Sequence, residues 1–355
     1  MIKKYTFSIL LLIISIILII LPFESVYAEK ITIQYAHNDP VSNIDFEYTD
    51  GNYGSAHIQA IVFKRIVENQ TNGDIMVDIF PDKQLGTDAE LLQSAERGLI
   101  QMVQVPSPNL PSLVPEYMAF TIPYLFTSPK VAYKVIEGPI GEKFEKLWLE
   151  RTGLRILSWS HAGFVHWTNN TKPIHVPADF KGMKMRIMAS SDKVKLVESL
   201  GGHVVVISWG ELYMALQQGV ADGQENPFNF IDVAKLYEVQ KYLTVDAHEF
   251  RWYPLQINEN FYQSLTPEYQ KIIQDAAMAS AMAYRGFLEL GNTLWAKSFT
   301  EKGMEIYYPT QEELEEFIEV TRTPMVDFIK SQIGEEWVNE VLNAVKEVEK
   351  SLVEE

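Results

Sequence analysis

"MKMRIMASSDKVKLVESLGGHVVVISWGELYMALQQGVADGQENP", residues 183–227, sets the fold class. Met183, Met185 and Ile187 share one parity and Lys184, Arg186 and Met188 the other, so the first six residues read as a strand. A helical pattern follows from Ser191 to Leu200, then "HVVVIS" as a second strand and "WGELYMALQQG" as a second helix. Strand, helix, strand and helix in so short a stretch ask for an α/β protein with mostly parallel sheets.

The same alternation extends toward the N-terminus. "ITIQYAH" (31–37) reads as a strand, Gly54 to Glu68 as a helix and "DIMVDIFP" (74–81) as a strand. Thr87 and Glu90 have capping-box spacing at the head of "DAELLQSAERG", and "LIQMVQVPS" resumes a strand. A proline-rich aromatic segment (106–129) and two helices to Thr152 follow. "LRILSWS" and "FVHWTN" then read as separate strands at the start of a second lobe.

Past the opening stretch, a helix is expected to about Tyr242 and a strand over "RWYPLQIN". Thr266-Pro267-Glu268 then starts a pattern that runs to Gly303 without another proline. At about 1.5 Å per residue this helix is on the order of 50 Å long, enough to brace two lobes. A second capping box, Thr310 to Glu313, opens a helix to about Ile333, and a charged helix begins at Glu335.

Where the opening stretch ends, Asn226 admits two readings. It is an N-cap before Pro227 as first helical residue, or an amide aimed by the proline, which keeps the preceding backbone extended. Arg186 is similarly open: a structural ion pair, or a bidentate clamp for a carboxylate. Trp209 stands at a strand-to-helix junction, where α/β folds face ligand crevices, or is a core aromatic.

The 355 residues are 47% hydrophobic with a formal charge of −17, which fits a folded two-lobe protein and speaks against nucleic acid as a partner. Lys3 and Lys4, an apolar run from Phe7 to Leu21 and Val26-Tyr27-Ala28 read as a secretory signal, residues 1–28, cleaved after Ala28. There are no cysteines, hence no disulfides, thiolate metal sites or lipid-modified cysteine. No Walker loop, Gly-x-Ser-x-Gly elbow or HExxH occurs, and His161 with His166 has the spacing of neither one helix face nor a tight zinc turn. No catalytic residues, metal or cofactor are expected.

"FPDKQLGTDAELLQSAERGLIQM", "KGMKMRI", "WGELYMALQQGVADGQENP" and "YEVQKYL", in this order behind a signal peptide, closely resemble the substrate-binding proteins of tripartite ATP-independent periplasmic (TRAP) transporters. The resemblance implies a two-lobe, periplasmic-binding-protein-like (Venus flytrap) α/β fold that closes on a small organic acid, with a long helix across both lobes. It implies discontinuous lobes: 29–160 with about 251–290, and 161–250 with about 291–355. Carried over by position, Arg186 grips the ligand carboxylate, Asn226 supports it, Trp209 packs on the ligand, and Asn38 and Ser107 line the opposite wall. The loaded receptor, a monomer peripheral to the membrane in the periplasm or on the cell's outer face, docks on a membrane permease pair.

One departure stands out. A second arginine is usual in a Gly-x-Arg segment that here reads "GFVHWTNN", with Val165 at its place. Arg251 in "FRWYPL" and His166 are the candidates for a replacement cation, and a hydroxy or keto monocarboxylate becomes plausible. Two other readings remain: an exported enzyme using Asp88 with Glu225, or a receptor reporting to a sensor kinase or chemoreceptor.

Overall fold

Two strands of more than a dozen residues each run side by side through the middle of the protein, and both halves of the chain are hung on them. The structure, a computed structural model, describes residues 30–41 and 56–354. The signal-peptide reading and the expected helix start at Gly54 lie outside the described residues.

In chain order, β1 (Ile31–His37), α1 (Ala56–Gln70), β2 (Ile75–Phe80), α2 (Asp88–Glu96) and β3 (Met102–Gln104) form the first unit. Two 3₁₀ turns, Ser107–Ser112 and Pro115–Thr121, follow where prolines forbid a regular ladder, then α3 (Pro129–Ile136) and α4 (Pro139–Thr152). Next come β4 (Leu154–Asn169), β5 (Lys184–Ile187), α5 (Ser191–Ser199), β6 (His203–Val206), α6 (Leu212–Gln217), β7 (Gly223–Pro227) and α7 (Phe228–Val233). The chain closes with β8 (Tyr242–Asn258), α8 (Glu259–Ser264), α9 (Pro267–Glu301), β9 (Glu305–Tyr307), α10 (Gln311–Ile333) and α11 (Glu335–Glu354).

The described strands make one sheet in the order β2-β1-β3-β8-β4-β7-β5-β6, with β9 beside β8. Each flank is parallel, as expected: β1 pairs with β2 and β3, and β5 with β6 and β7. The centre corrects the expectation, because β4 runs antiparallel to β7 and, over nearly its whole length, to β8. "LRILSWS" and "FVHWTN" are thus one strand, and β8 starts at Tyr242, where a helix had been expected to end. The link is Gly163, whose φ of +102° is open to glycine, at a register shift of β4 against β8.

Helix ends follow local chemistry. Thr87 and Thr310 both form complete capping boxes, and Thr266 caps α9 ahead of Pro267. The 35 residues of α9 extend about 50 Å. Its N-terminal half, through Ile273, Ala276 and Ala277, packs in one core with β1, β2 and α1. Its C-terminal half, through Tyr284, Leu288, Trp295 and Phe299, packs in another with α6 and α7. A third core joins α2, α3, α4, α5, α10 and α11.

The end of the opening stretch decides between its two readings. Gln224, Glu225 and Asn226 lie in β7, with Asn226 opposite His166 of β4. Pro227, at φ −68° and ψ 162°, takes the cap position itself, and Phe228 is the first helical residue. Asn226 is therefore not an N-cap: pairing with β4 keeps its backbone extended for one residue longer than the local signal suggested.

Candidate functional site

Loops at the C-terminal ends of β1, β5 and β6 converge on the long strands, the usual place for a ligand crevice in α/β sheets. Asn38 and Asp39 follow β1, Met188 follows β5 and Trp209 follows β6, while β7 contributes Asn226 and β8 contributes Arg251 and Tyr253. These side chains, with Asp88 in the first turn of α2, surround an inner cavity of about 10 Å³. It adjoins an outer cleft of about 570 Å³, and Asn38, Asp88, Met188 and Trp209 border both. That larger volume is in the range of small-molecule sites.

Arg186 is wholly buried in β5. Its Nε donates to the Ile207 carbonyl at 2.9 Å, and Nη2 has no partner. Among the described residues no carboxylate lies within ion-pair distance of it. Burial pushes its pKa down to about 10, against the partial pull of Glu225 and Asp88, so the group stays charged. Ile207 and Met188, the latter two residues further along, line the outer cleft.

Arg251 is the opposite case. Its Nη2 lies 2.5 Å from Glu225 and 3.6 Å from Glu249, and Nη1 donates to Asn226 Oδ1 at 3.1 Å. Lys193 pairs with Glu249, and Asp246 holds His248 at 3.0 Å. Burial opposes ionisation of Glu225, but Arg251 and His248 outweigh it and hold its pKa well below the carboxylate range. This second guanidinium is thus largely neutralised by the protein itself.

The amides are partly committed. Asn226 accepts from Arg251 and donates to Gln224. Asn38 donates to Asp88 at 2.9 Å, while its buried Oδ1 has no partner. Asp88 also accepts from Asn109 at 3.2 Å, and burial raises its pKa. Asp39 accepts from Tyr253 Oη at 2.8 Å and from the Ala56 N–H at 2.7 Å. Burial nevertheless pushes its pKa up to about 7.

Not every expected residue reaches the cavities, and Arg186 itself lines neither, standing behind Met188 and Ile207. Ser107 is buried behind Pro106, its Oγ accepting from the Trp252 N–H at 3.2 Å. Val165 is fully buried opposite Pro227 and borders neither cavity. His166 is no replacement cation: its Nδ1 accepts from the Ala247 N–H at 3.1 Å, and burial, aided by His248, lowers its pKa to about 3. Asp88 and Glu225 belong to separate networks and form no acid–base pair.

Sequence reasoning missed Asp39, Met188, Phe230 and Tyr253. Asp39 is next to Asn38, and Tyr253 shares a strand face with Arg251 two residues before, so both were within reach of a parity argument. Phe230 lies 5.3 Å from the Trp209 ring and 5.9 Å from Tyr253, centroid to centroid, and completes an aromatic wall. Only the turn into α7 brings it there.

Residues 49–332 match the family described as DctP, bacterial extracellular solute-binding protein, family 7. The chain belongs to that family. This solute-binding protein is 32% identical over 293 residues to the C4-dicarboxylate-binding periplasmic protein DctP of Rhodobacter capsulatus, covering 81% of the chain and 86% of the relative. The sugar acid binding protein of Advenella mimigardefordensis, solved in complex with galactonate, superposes with a TM-score of 0.82 at 28% identity, over 90% of this chain and 99% of that one. A TRAP periplasmic solute binding protein of Sulfurospirillum deleyianum with bound succinate gives 0.79 at 27% identity, over 88% and 98%. The solute-binding protein shares their two-lobe fold and is of the TRAP type. Among its described residues no helix is long and apolar enough to cross a membrane.

Proposed function

We propose that this protein is an exported receptor that captures a small organic acid, most simply a hydroxy or keto monocarboxylate, and delivers it to a TRAP-type membrane permease. The observation that carries the reading is Arg186, a fully buried guanidinium with a free Nη2 and no ion-pair partner among the described residues. Burying an unpaired charge costs several kcal/mol, and a ligand carboxylate offsets that cost with a charge-assisted pair.

The preference for one carboxylate follows from the second cation. Arg251 is already balanced by Glu225 and Glu249, and two carboxyl groups, Asp39 and Asp88, border the inner cavity. A second ligand carboxylate would meet acceptors there, whereas hydroxyl groups would find Asp88 and the free Oδ1 of Asn38. The aromatic wall of Trp209, Phe230 and Tyr253 packs on the ligand's carbon skeleton. Relatives that bind C4-dicarboxylate, galactonate and succinate support the acid class.

The inner cavity admits about one water, so a ligand enters while the walls stand further apart, and closure is driven by contacts made with both walls. Binding, with no covalent step, is the whole chemistry. Residues 1–28 act as the leader that exports the chain. Lobe one comprises 29–160 with about 251–290, and lobe two 161–250 with about 291 onward, except that α11, which packs against α3, belongs with the first.

The test is a thermal-shift screen of the exported protein against lactate, pyruvate, succinate, galactonate and related acids, followed by calorimetry on Arg186→Ala. Loss of the clamp should weaken binding about 100-fold. A bound acid held equally tightly by Arg186→Ala sinks the clamp, and a panel in which nothing raises the melting temperature sinks the acid receptor.

A further inference from the structure

The strands β2 and β6 stand at the two ends of the strand order, yet the turns that follow them meet over the outer cleft. Lys83, in the turn after β2, makes the crossing. Its ammonium and the end of its stem lie where a Cβ on Gly210, in the turn after β6, would stand.

The contact is placed and charged for a ligand. Among the described residues Lys83 is the only lysine or arginine that borders the outer cleft, since Arg186 lies behind Ile207 and Arg251 borders the inner cavity alone. Its side chain is exposed and makes no ion pair or hydrogen bond among those residues, so all three ammonium donors are open. Glu211, the carboxylate on the opposing turn, instead accepts from Ser208 Oγ at 2.6 Å.

Both sides of the contact are built for it. Asp82 and Lys83 have left-handed φ angles of +50° and +59°, which residues other than glycine seldom adopt. Such backbone persists where its surroundings fix it. Here the Asp82 N–H donates to the Asp39 carbonyl and the Gly86 N–H to the Lys83 carbonyl, each at 3.1 Å. Through Asp39 the turn is tied to the wall of the inner cavity. Across the cleft, Gly210 sits in the 3₁₀ turn Trp209–Glu211 without a positive φ, so its backbone does not require glycine. What the missing side chain provides is room for Lys83.

We propose that Lys83 is a ligand-binding residue and the latch of the cleft mouth. With an acid seated, its ammonium donates to a hydroxyl or keto oxygen that faces outward, and its charge draws the anion in. The inference rests on the acid-receptor reading and adds to it a second cation, outside the clamp. A compact charge on a flexible stem suits a group that swings aside for entry and returns.

Stopped-flow binding tests the contact, with whichever of lactate, pyruvate, succinate and galactonate the exported protein holds most tightly. Lys83→Ala should speed dissociation about tenfold and flatten the fall of the association rate with salt. Lys83→Met keeps the cover without the charge and should behave like Lys83→Ala. Gly210→Ala should push the ammonium aside and speed dissociation too, but change nothing further once Lys83 is alanine. Both positions are exposed, and unchanged melting temperatures without ligand verify that the variants are folded. Dissociation as slow in Lys83→Ala or Lys83→Met as in wild type overturns the proposal, and so does a Gly210→Ala effect that persists in full without Lys83. A panel with no binder fails the acid receptor itself, whereas a binder indifferent to Lys83→Ala fails Lys83 alone.

Discussion

Arg251 Nη2 lies 2.5 Å from Glu225 Oε2 with both side chains buried, and this ion pair ties the long strand β8 to β7 at the wall of the inner cavity. It separates the two buried guanidiniums by environment: Arg251 is held by protein carboxylates, and Arg186 has none within ion-pair distance among the described residues. The pair also anchors a chain of buried charges from Lys193 through Glu249 to His248 and Asp246.

Glu225→Gln should cost about 3 kcal/mol or more in urea unfolding, because breaking a buried pair strands its partner. The sign of its pH dependence follows from a folded pKa below the ordinary 4.5. The contribution of Glu225 is present above that value and is lost as the pH falls below it. A Glu225→Gln protein as stable as wild type at neutral pH would show that Glu249 alone balances Arg251.

Asp39 slopes the other way. Its folded pKa of about 7 exceeds the ordinary 3.8, so the stabilising effect of its bound proton is full below 3.8 and is lost as the pH rises through about 7. Between those limits stability should fall by up to about 1.4 kcal/mol per pH unit, and Asp39→Asn should remove that slope. An anionic ligand favours the protonated carboxyl, so affinity for an acid should also decline above pH 7. Calorimetry across pH 5.5 to 8.5, in steps of about half a unit, would read both, and an unchanged profile in Asp39→Asn would assign the titration elsewhere.

Val165→Arg restores the arginine that the family resemblance expects, but its effect should be destabilising. The side chain is fully buried opposite Pro227 on one neighbour and Glu249 on the other, where Glu249 is already shared by Lys193 and Arg251. An extra cation and extra volume there should cost about 2 kcal/mol or more by thermal or urea unfolding. Removing the resident cation as well, in Val165→Arg with Arg251→Ala, should recover part of the loss. If the single variant is as stable as wild type and binds succinate more tightly, the cavity has room for a second clamp.

Much of the fold was legible. The capping boxes at Thr87 and Thr310 and the start of α9 at Thr266-Pro267 stand where their spacing put them, because a cap acts within one turn. The strands on the flanks followed from parity. The central pair did not: β4 was read as two strands since its bulges at Ile156/Ser158 and His161/Gly163 interrupt the alternation. Asn226 stays open between a cap and an aimed amide in the sequence because nothing local announces that β4 will pair with it.

Sequence by itself determined the class of the protein, the helix starts at Thr87, Thr266 and Thr310, and the long brace, all set by interactions between residues a few places apart. Tertiary structure alone decided which of the two buried guanidiniums, Arg186 and Arg251, meets protein carboxylates. Arg251 meets Glu225 and Lys193 meets Glu249 across strands and loops, and a one-residue slip in the register of β4, β7 and β8 would turn those side chains to the other face. Charge balance inside a protein is a property of that register, and so is the difference between Arg251, paired with Glu225, and Arg186, which has no carboxylate partner among the described residues.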